Sequence, residues 1–300
     1  MTAPKILIVT AADELYVDLL EDLARSLRAL SGRPPFQIAC FDLGLSSESR
    51  EALAPLIDHF AVARWPFAAD PRFDGRAMWI ARAIRPFISR QWPGYHIYVW
   101  LDADTWIQEG RALEGLVAAA DHRSMAVVPS VDRAYSHGPE NQQWLFERYR
   151  MALGSEIARR LMGFYYINAG VLALRHDAPH WQAWEQRFRA ALRNWQGNFL
   201  SDQAIVNALI YIDRLPANFL PSECNWLCHL AMPAWNPMLR KLCMPNFPFA
   251  PIGIVHNTCD EKRKSWPLVT LDGGILETPI THYAVDRLTR GAAVVSKAET

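Results

Sequence analysis

This sequence of 300 residues lacks the features of a nucleic-acid-binding, secreted or membrane-spanning protein. Its 31 basic and 31 acidic residues cancel, so it has no excess positive charge for binding a phosphate backbone. No stretch approaches the roughly 18 consecutive apolar residues of a transmembrane helix. The first residues also lack the apolar core and small-residue cleavage site of a signal peptide. We therefore expect a cytoplasmic protein that has no transmembrane segment and binds no nucleic acid.

Cysteine is scarce as well, and its odd count of five argues against a disulfide framework. Four of the five lie in the last third of the chain, beside His229 and His256, which raises the question of a zinc site. The spacing of Cys224 and Cys228 is only loosely zinc-like, and no paired C-x-x-C repeat follows. Buried free thiols are therefore the favoured interpretation.

The first half of the sequence alternates strand-like and helix-like segments. A composition of 51% hydrophobic and 21% charged residues is typical of a globular enzyme. Apolar β-rich runs predict strands at 5–10, 36–41, 58–63, 97–101 and 125–128, and amphipathic patterns predict helices at 14–30, 46–56, 76–89 and 111–120. This alternation predicts an α/β fold with a Rossmann-like, mostly parallel sheet.

The second half is less regular. Helices are predicted at 142–152 and 181–195, and a third near Ser201 to Ile210. Two short strand pieces are predicted around Asn-Ala-Gly within 165–174, and a last strand at 252–255 ends at His256. The stretch 214–249 is rich in proline and tryptophan and is predicted to be mostly loop.

We predict one domain over 1–300 that consists of two halves with different binding roles. Residues 1–130 would form a nucleotide-binding half, and residues 131–270 an acceptor half, to which the resemblance described below also assigns the donor sugar. Residues 281–300 would form a C-terminal helix and tail. We expect acceptor recognition between Pro216 and Phe249, where Phe219, Trp226 and Trp235 are candidates for stacking on sugar rings or for core packing.

Two carboxylates, Asp102 and Asp104, directly follow the predicted strand Ile97–Leu101. Ligands of open α/β sheets bind just beyond the carboxyl ends of the strands. Alternate residues of an extended segment point the same way, so both carboxylates can face one cation. Such hard oxygen ligands suit Mg²⁺ or Mn²⁺. A simple turn with a helix cap would explain the same residues without a metal.

The motif around Asp102 also resembles the start of haloacid-dehalogenase-type phosphatases, in which the first aspartate is the nucleophile. That reading requires a later strand that ends in paired aspartates. The only comparable position, Asp213, is followed by Arg214. A phosphatase with Asp102 as its nucleophile is therefore the weaker alternative.

Five further segments occur in the order found in one family of sugar-transferring enzymes. They are Ala11-Ala12-Asp13 through Tyr16, Arg82 with Pro86 four residues later, Asn168-Ala169-Gly170, Asp202-Gln203 with Asn207, and His256 followed by Lys262 and Trp266. Together with Asp102 and Asp104 they resemble glycosyltransferase family 8, which includes glycogenin and bacterial lipooligosaccharide galactosyltransferases. The resemblance extends over roughly residues 5 to 266.

The resemblance implies a GT-A-type fold and a metal-dependent transfer of a sugar, with retention of configuration, from a UDP-linked or similar donor to a saccharide or glycolipid acceptor. The residues it implicates fall into three groups: Asp102, Asp104 and His256 as ligands of Mn²⁺ or Mg²⁺; Ala11, Asp13, Tyr16, Arg82, Asn168 and Lys262 as donor contacts; and Asp202 and Gln203 as residues at the reacting sugar. An arginine and a lysine suit a diphosphate because both stay cationic, and the guanidinium can bind two oxygens at once.

The sequence departs from the family pattern near its end. Cys259 stands where glycine is usual, and Arg263-Lys264-Ser265 replaces a direct Pro-Trp, which makes Arg263 and Lys264 additional candidates for a phosphate contact. An inverting reaction would need a base, for which Asp132, Glu140 and Glu223 are candidates.

Two further classes remain open. A sugar nucleotidyltransferase would carry a glycine-rich basic loop after the first strand, where this chain has Ala11-Ala12-Asp13-Glu14. A non-catalytic binding protein would hold a nucleotide sugar without transferring it.

Overall fold

The computed structural model describes residues 4–30, 35–68, 70, 73, 76–193 and 202–290. Within these ranges the strands are β1 (Ile6–Ala12), β2 (Phe36–Asp42), β3 (His59–Val62), β4 (Ile97–Leu101), β5 (Thr105–Ile107), β6 (Met125–Pro129), β7 (Ile167–Arg175), β8 (Ala217–Phe219), β9 (Trp226–Leu227), β10 (Ala234–Asn236), β11 (Lys241–Cys243), β12 (Ile254–His256), β13 (Ser265–Val269) and β14 (Ile275–Pro279).

The α-helices of the same ranges follow in chain order. They are α1 (Val17–Ala29), α2 (Ser47–Leu53), α3 (Ala77–Ala83), α4 (Ile88–Gln91), α5 (Gly110–Ala119), α6 (Pro139–Leu153), α7 (Ser155–Leu161), α8 (His180–Arg193), α9 (Asp202–Tyr211) and α10 (His282–Thr289). No helix in the part of the chain described is long and apolar enough to cross a membrane.

A seven-stranded sheet in the order β3-β2-β1-β4-β7-β6-β8 is the centre of the fold. The strands from β3 to β4 run parallel, and β6 is parallel to β8. Only β7 is antiparallel to both of its neighbours, β4 and β6. The prediction of an α/β fold with a mostly parallel sheet is therefore confirmed.

The sheet is covered on both faces because its central strands are apolar on both sides. On β1, Ile6 and Ile8 pack in the cluster that contains residues of α1 and α5. Leu7 and Val9 pack in the cluster that contains residues of α3, α8 and α9. Two-sided burial explains why these strands read as continuous apolar runs rather than as alternating ones.

A second, three-stranded sheet in the order β5-β12-β9 brings the late part of the chain to the end of β4. β12 is antiparallel to β5, with His256 opposite Thr105, and parallel to β9, with His256 beside Leu227. Because β5 begins one residue after Asp104, this pairing fixes His256 next to the Asp-Ala-Asp motif.

Several predicted boundaries are wrong. The stretch 165–174 contains one strand, β7, rather than two pieces; the Asn207 side chain bonds both the N–H and the carbonyl of Ile167 at its start. The predicted helix 76–89 is divided into α3, a 3₁₀ turn at Arg85–Phe87 and α4. The sequence predicts a cap or kink at Pro86, which has no N–H to continue the helix, and the division occurs there.

The irregular C-terminal part also contains more structure than predicted. Short strands β8 to β11 lie within 214–249, and the hairpin β13–β14 and helix α7 were not predicted. α10 agrees with the predicted C-terminal helix. Ser201, the predicted start of α9, and the predicted tail at 291–300 lie outside the described residues.

Candidate active site

Three side chains that are distant in sequence converge beyond the carboxyl end of β4. Asp102, Asp104 and His256 each offer one ligand atom, and these atoms all lie within 4.8 Å of one another. His256 Nε2 is 3.3 Å from Asp104 Oδ1 and 4.0 Å from Asp102 Oδ2. The described residues contain no other such group of histidine, cysteine and carboxylate side chains.

Gly170 keeps the centre of this group open. β7 brings Gly170 beside Asp102, whose N–H donates to the Gly170 carbonyl at 2.8 Å. A Cβ at this position would lie 2.3 Å from His256 Cε1 and 2.6 Å from Asp102 Oδ2. Any larger residue would therefore displace two of the three candidate ligands.

Arg85, a residue that the sequence interpretation missed, binds the carboxylates from the other side. Its guanidinium contacts Asp102 Oδ1 at 2.8 Å and Asp202 Oδ2 at 2.6 Å, and it donates to the Ala169 carbonyl at 2.8 Å. The guanidinium carbon also lies 4.4 Å from the ring centre of Trp100, whose indole N–H donates to Asp102 at 2.7 Å. The only sequence signal for Arg85 was a second arginine in the same helical segment as Arg82.

Lys262 meets the second aspartate of the motif. Its Nζ is 2.7 Å from Asp104 Oδ2 and donates to the Asn257 carbonyl at 2.7 Å. Burial disfavours both charged groups, but the attraction between them outweighs it. The pKa of Lys262 is raised, and the contacts with His256 and Lys262 hold the pKa of Asp104 well below its usual value.

A chain of side-chain amides joins the candidate metal ligands to the start of α9. Asn225 Oδ1 lies 2.9 Å from His256 Nδ1, and the Asn225 amide donates to Asn168 at 3.3 Å. Asn168 in turn donates to Gln203 Oε1 at 2.9 Å. Asn225 is a second residue that the sequence interpretation missed, since it lies in the proline-rich stretch without periodic pattern. The contact to Nδ1 orients the His256 ring so that Nε2 faces the aspartates.

A cavity of about 290 Å³ lies next to the aspartates, and the predicted nucleoside contacts line it. Ala11, Asp13, Tyr16 and Arg82 all reach its wall, together with Arg85, Trp100, Asp102 and Asp104. Burial raises the pKa of Tyr16 and lowers the pKa of Arg82. Asp13 also caps the first turn after β1, because its carboxylate accepts the Leu15 N–H at 3.1 Å. A capping role of Asp13 is compatible with its predicted contact to the donor.

The residues present fit a divalent cation. Two carboxylates and one imidazole face one point, Gly170 leaves space beside them, and Asn225 fixes the imidazole. Carboxylate oxygens suit Mg²⁺ and Mn²⁺, and a nitrogen ligand in the set favours the transition metal.

Other candidates from the sequence have different surroundings. Arg263 forms two bonds to Asp18, at 2.6 and 2.7 Å, and Lys264 bonds Glu261 at 2.8 Å. Both oxygens of Asp132 accept hydrogen bonds, from Ser222 at 2.8 Å and Asn246 at 3.0 Å among others.

The aromatic and sulfur-containing candidates are mostly core residues. Trp226 and Trp235 are buried in the third apolar cluster, whereas Phe219 is exposed. All five cysteines are free and buried, as the sequence interpretation favoured.

Three solved structures that share this architecture are of glycosyltransferases. A galactosyltransferase, LgtC, in complex with donor and acceptor sugar analogues, matches with a TM-score of 0.55 and 16% identity over 98% of this chain and 97% of that chain. An active-site mutant of LgtC matches with a TM-score of 0.50 and 18% identity over 83% of this chain and 86% of that chain.

The bifunctional glycosyltransferase WbbM, in its apo form, matches with a TM-score of 0.51 and 16% identity over 76% of this chain. This chain spans only 40% of the WbbM chain. No protein-family model matches the sequence, and a search of curated proteins gave no match. At these identities the likeness shows the fold: this chain has the GT-A-type fold of LgtC, as its sequence predicted.

Proposed function

We propose that this protein is a metal-dependent glycosyltransferase that moves a hexose from a UDP-linked donor to a saccharide or glycolipid acceptor. One observation carries the proposal. Asp102, Asp104 and His256 converge beside the cavity that Asp13 and Tyr16 line. On a GT-A-type fold, a cation site beside a nucleoside-sized cavity is the arrangement that binding a nucleoside diphosphate requires.

The cationic groups support this role. A Mn²⁺ or Mg²⁺ held by Asp102, Asp104 and His256 would offset the negative charge that develops on a departing diphosphate. Lys262, whose pKa is raised, stays protonated at neutral pH and adds a second positive charge at the same edge. Arg82 lines the cavity and is proposed as a further donor contact.

The start of α9 would hold the donor sugar. Arg85 fixes Asp202 through an ion pair at 2.6 Å, and Asn168 and the Ala169 N–H fix the oxygen of Gln203. Groups locked in this way can position a reacting sugar without reorganising during the reaction. We propose Asp202 and Gln203 as the residues closest to the transferred sugar.

We propose that configuration is retained. Inversion needs a carboxylate whose oxygens can take a proton from the acceptor. Asp132, a candidate base, instead uses both oxygens to hold Ser222 and Asn246 in place.

The phosphatase alternative is disfavoured by the surroundings of Asp102. Its Oδ1 accepts from both Trp100 and Arg85, which orients the carboxylate as a fixed ligand.

A cytoplasmic location is proposed because the five cysteines are unpaired and thiols stay reduced in the cytoplasm.

A thermal-shift screen of UDP-, GDP- and CMP-linked sugars, each with and without Mn²⁺, tests the proposal. We expect stabilisation by a UDP sugar that requires Mn²⁺ and is lost in Asp102→Ala/Asp104→Ala. The control, Asp177→Ala/Asp272→Ala, removes two exposed carboxylates away from the site and should bind like the wild type. Stabilisation that ignores the metal, or that survives the first double substitution, would overturn the proposed site.

Turnover separates an enzyme from a binding protein. Release of UDP from a UDP-hexose, with or without an added saccharide acceptor, is expected for a glycosyltransferase. Metal-dependent binding with no release of UDP and no transfer to any acceptor would favour the non-catalytic class.

A further inference from the structure

A surface near the carboxyl end of β6 combines exposed aromatic rings with arginines, and nothing in the proposed reaction uses it. We name it the aromatic patch; its members are Phe164, Tyr165, Tyr211 and Phe219. Tyr165 is 68% exposed, Phe219 53% and Phe164 36%. A cavity of about 770 Å³ opens in front of them, between Val131 and Met162. Exposed apolar patches of this kind mark protein or membrane contact sites.

Three of the four rings of the aromatic patch pack against one another. Phe164 and Tyr211 stack at 4.5 Å with 9° between their planes, and Tyr211 and Phe219 lie 6.3 Å apart at 12°. The Tyr211 hydroxyl donates to the Tyr165 carbonyl at 2.8 Å. Phe219 belongs to β8, the edge strand of the main sheet. The patch is therefore a built feature of three separate segments.

The charged groups around the aromatic patch are mostly positive. Arg159 and Arg160 are exposed at the end of α7, and the exposed Arg214 lies 5.6 Å from the ring centre of Phe164. Two neighbouring carboxylates are already neutralised, since Asp213 pairs with Arg187 and Glu147 with Arg150. Arg160 adjoins the patch, because its carbonyl accepts the N–H of Gly163 at 3.3 Å and Gly163 lines the cavity. Within α7 itself, Glu156 is the acidic residue of the first turn, and Arg159 and Arg160 are the basic residues of the last. A chain with no net charge thus carries a local positive excess beside exposed aromatic rings.

We propose that this surface docks the protein on a membrane that contains anionic lipids. Aromatic rings prefer the interface between lipid and water, and arginines beside them are attracted by anionic head groups. Binding to such a surface grows with both the apolar area and the positive charge.

The segment that leads into β7 links the aromatic patch to the candidate active site. Pro129 and Val131 line its cavity, and the Ser130 N–H between them bonds the Tyr166 carbonyl at 2.7 Å. Two residues further along the chain, Asn168 belongs to the site itself. A docked membrane would therefore face the half that we predicted to receive the acceptor. Docking itself does not depend on the proposed transferase activity. Only the statement that the membrane faces the acceptor half rests on that proposed function.

Co-sedimentation with vesicles of phosphatidylcholine, with or without phosphatidylglycerol, tests the docking. We expect binding only when phosphatidylglycerol is present, and loss of binding as salt rises from about 0.1 to about 1 M, which shortens the screening length from roughly 10 to roughly 3 Å. Replacing all three arginines with glutamine should lower the partition coefficient on the order of 100-fold. Tyr165→Ser/Phe219→Ser should lower it while leaving the salt dependence in place.

Matched controls lie on other faces of the molecule. Tyr283→Ser removes an aromatic ring that is 62% exposed, and Arg25→Gln removes an exposed arginine of α1; both should bind vesicles like the wild type. Equal binding to vesicles without phosphatidylglycerol, or no binding to either kind, would overturn the proposal. So would a dimer in sedimentation velocity that Tyr165→Ser/Phe219→Ser dissociates, because the patch would then be an interface between copies. Mn²⁺-dependent binding of UDP by the same samples shows whether the proposed active site stands independently.

Discussion

Replacing Arg85 with methionine should destabilise the fold strongly, because it removes an ion-pair partner of the buried Asp202 carboxylate. The side chains of Arg85 and Asp202 are only 7% and 4% exposed, and the two groups lie 2.6 Å apart. Breaking a buried pair by removing one partner costs about 3–5 kcal/mol, since the other charge stays buried without compensation. The contact with the Trp100 ring adds on the order of 1 kcal/mol. The attraction between Asp202 and the partly buried Arg82 remains and offsets part of this loss. We therefore expect the free energy of unfolding to fall by about 4 kcal/mol.

Urea unfolding, followed by tryptophan fluorescence, measures this change. The matched control is Arg90→Met, whose partner is Glu185 and whose side chain is 58% exposed; it should cost no more than about 1 kcal/mol. Adding Asp202→Asn to Arg85→Met should restore part of the loss, because it neutralises the stranded charge. Arg85→Lys should be more stable than Arg85→Met but less stable than the wild type, since one ammonium cannot bridge both carboxylates in the fixed geometry of a guanidinium. A loss below about 1 kcal/mol for Arg85→Met, or no rescue by Asp202→Asn, would refute the reasoning.

Three further predictions concern the metal site, pH and the thiols. Gly170→Ala should abolish Mn²⁺ binding measured by calorimetry, because its Cβ would lie 2.3 Å from His256, whereas Gly138→Ala meets no atom within 4 Å and should be silent. Burial raises the pKa of Asp22 from 3.8 to about 6, so its neutral form is favoured in the folded state and stability should fall as pH rises from about 4 to about 6. Asp22→Asn should flatten that part of a stability-against-pH curve; an unchanged slope would contradict the assignment. Burial also raises the pKa of all five cysteine thiols, that of Cys40 to about 12. The thiols should therefore react with a thiol reagent only after denaturation, and rapid labelling of the native protein would contradict their burial.

The parts of the fold that the sequence predicted well depend on local patterns. The strand Ile97–Leu101 has the predicted bounds because a short run of β-branched and aromatic residues favours a buried strand, and the first carboxylate after it marks where the strand ends. The strand that ends at His256 was predicted on similar grounds. Its partners β5 and β9 depend on pairing between distant segments, which periodicity does not reveal.

The residues that the sequence interpretation missed show why local patterns are insufficient at the site. Arg82 was chosen because it precedes Pro86 by four residues, whereas Arg85 was not singled out, although its guanidinium contacts Asp102 and Asp202. Pro86 marks the break between α3 and the 3₁₀ turn in the sequence, but the sequence does not show that Arg85 contacts Asp102 and Asp202 from this turn. Asn225 reaches His256 only because β9 pairs with β12.

Calorimetric titration of UDP into the protein, with and without Mn²⁺, tests the central claim most directly. The account predicts binding that requires Mn²⁺ and disappears in Asp104→Ala, while the exposed-carboxylate control Asp272→Ala binds like the wild type. Equal UDP binding without metal, or undiminished binding by Asp104→Ala, would contradict the assignment of Asp102, Asp104 and His256 as the cation site beside the nucleotide.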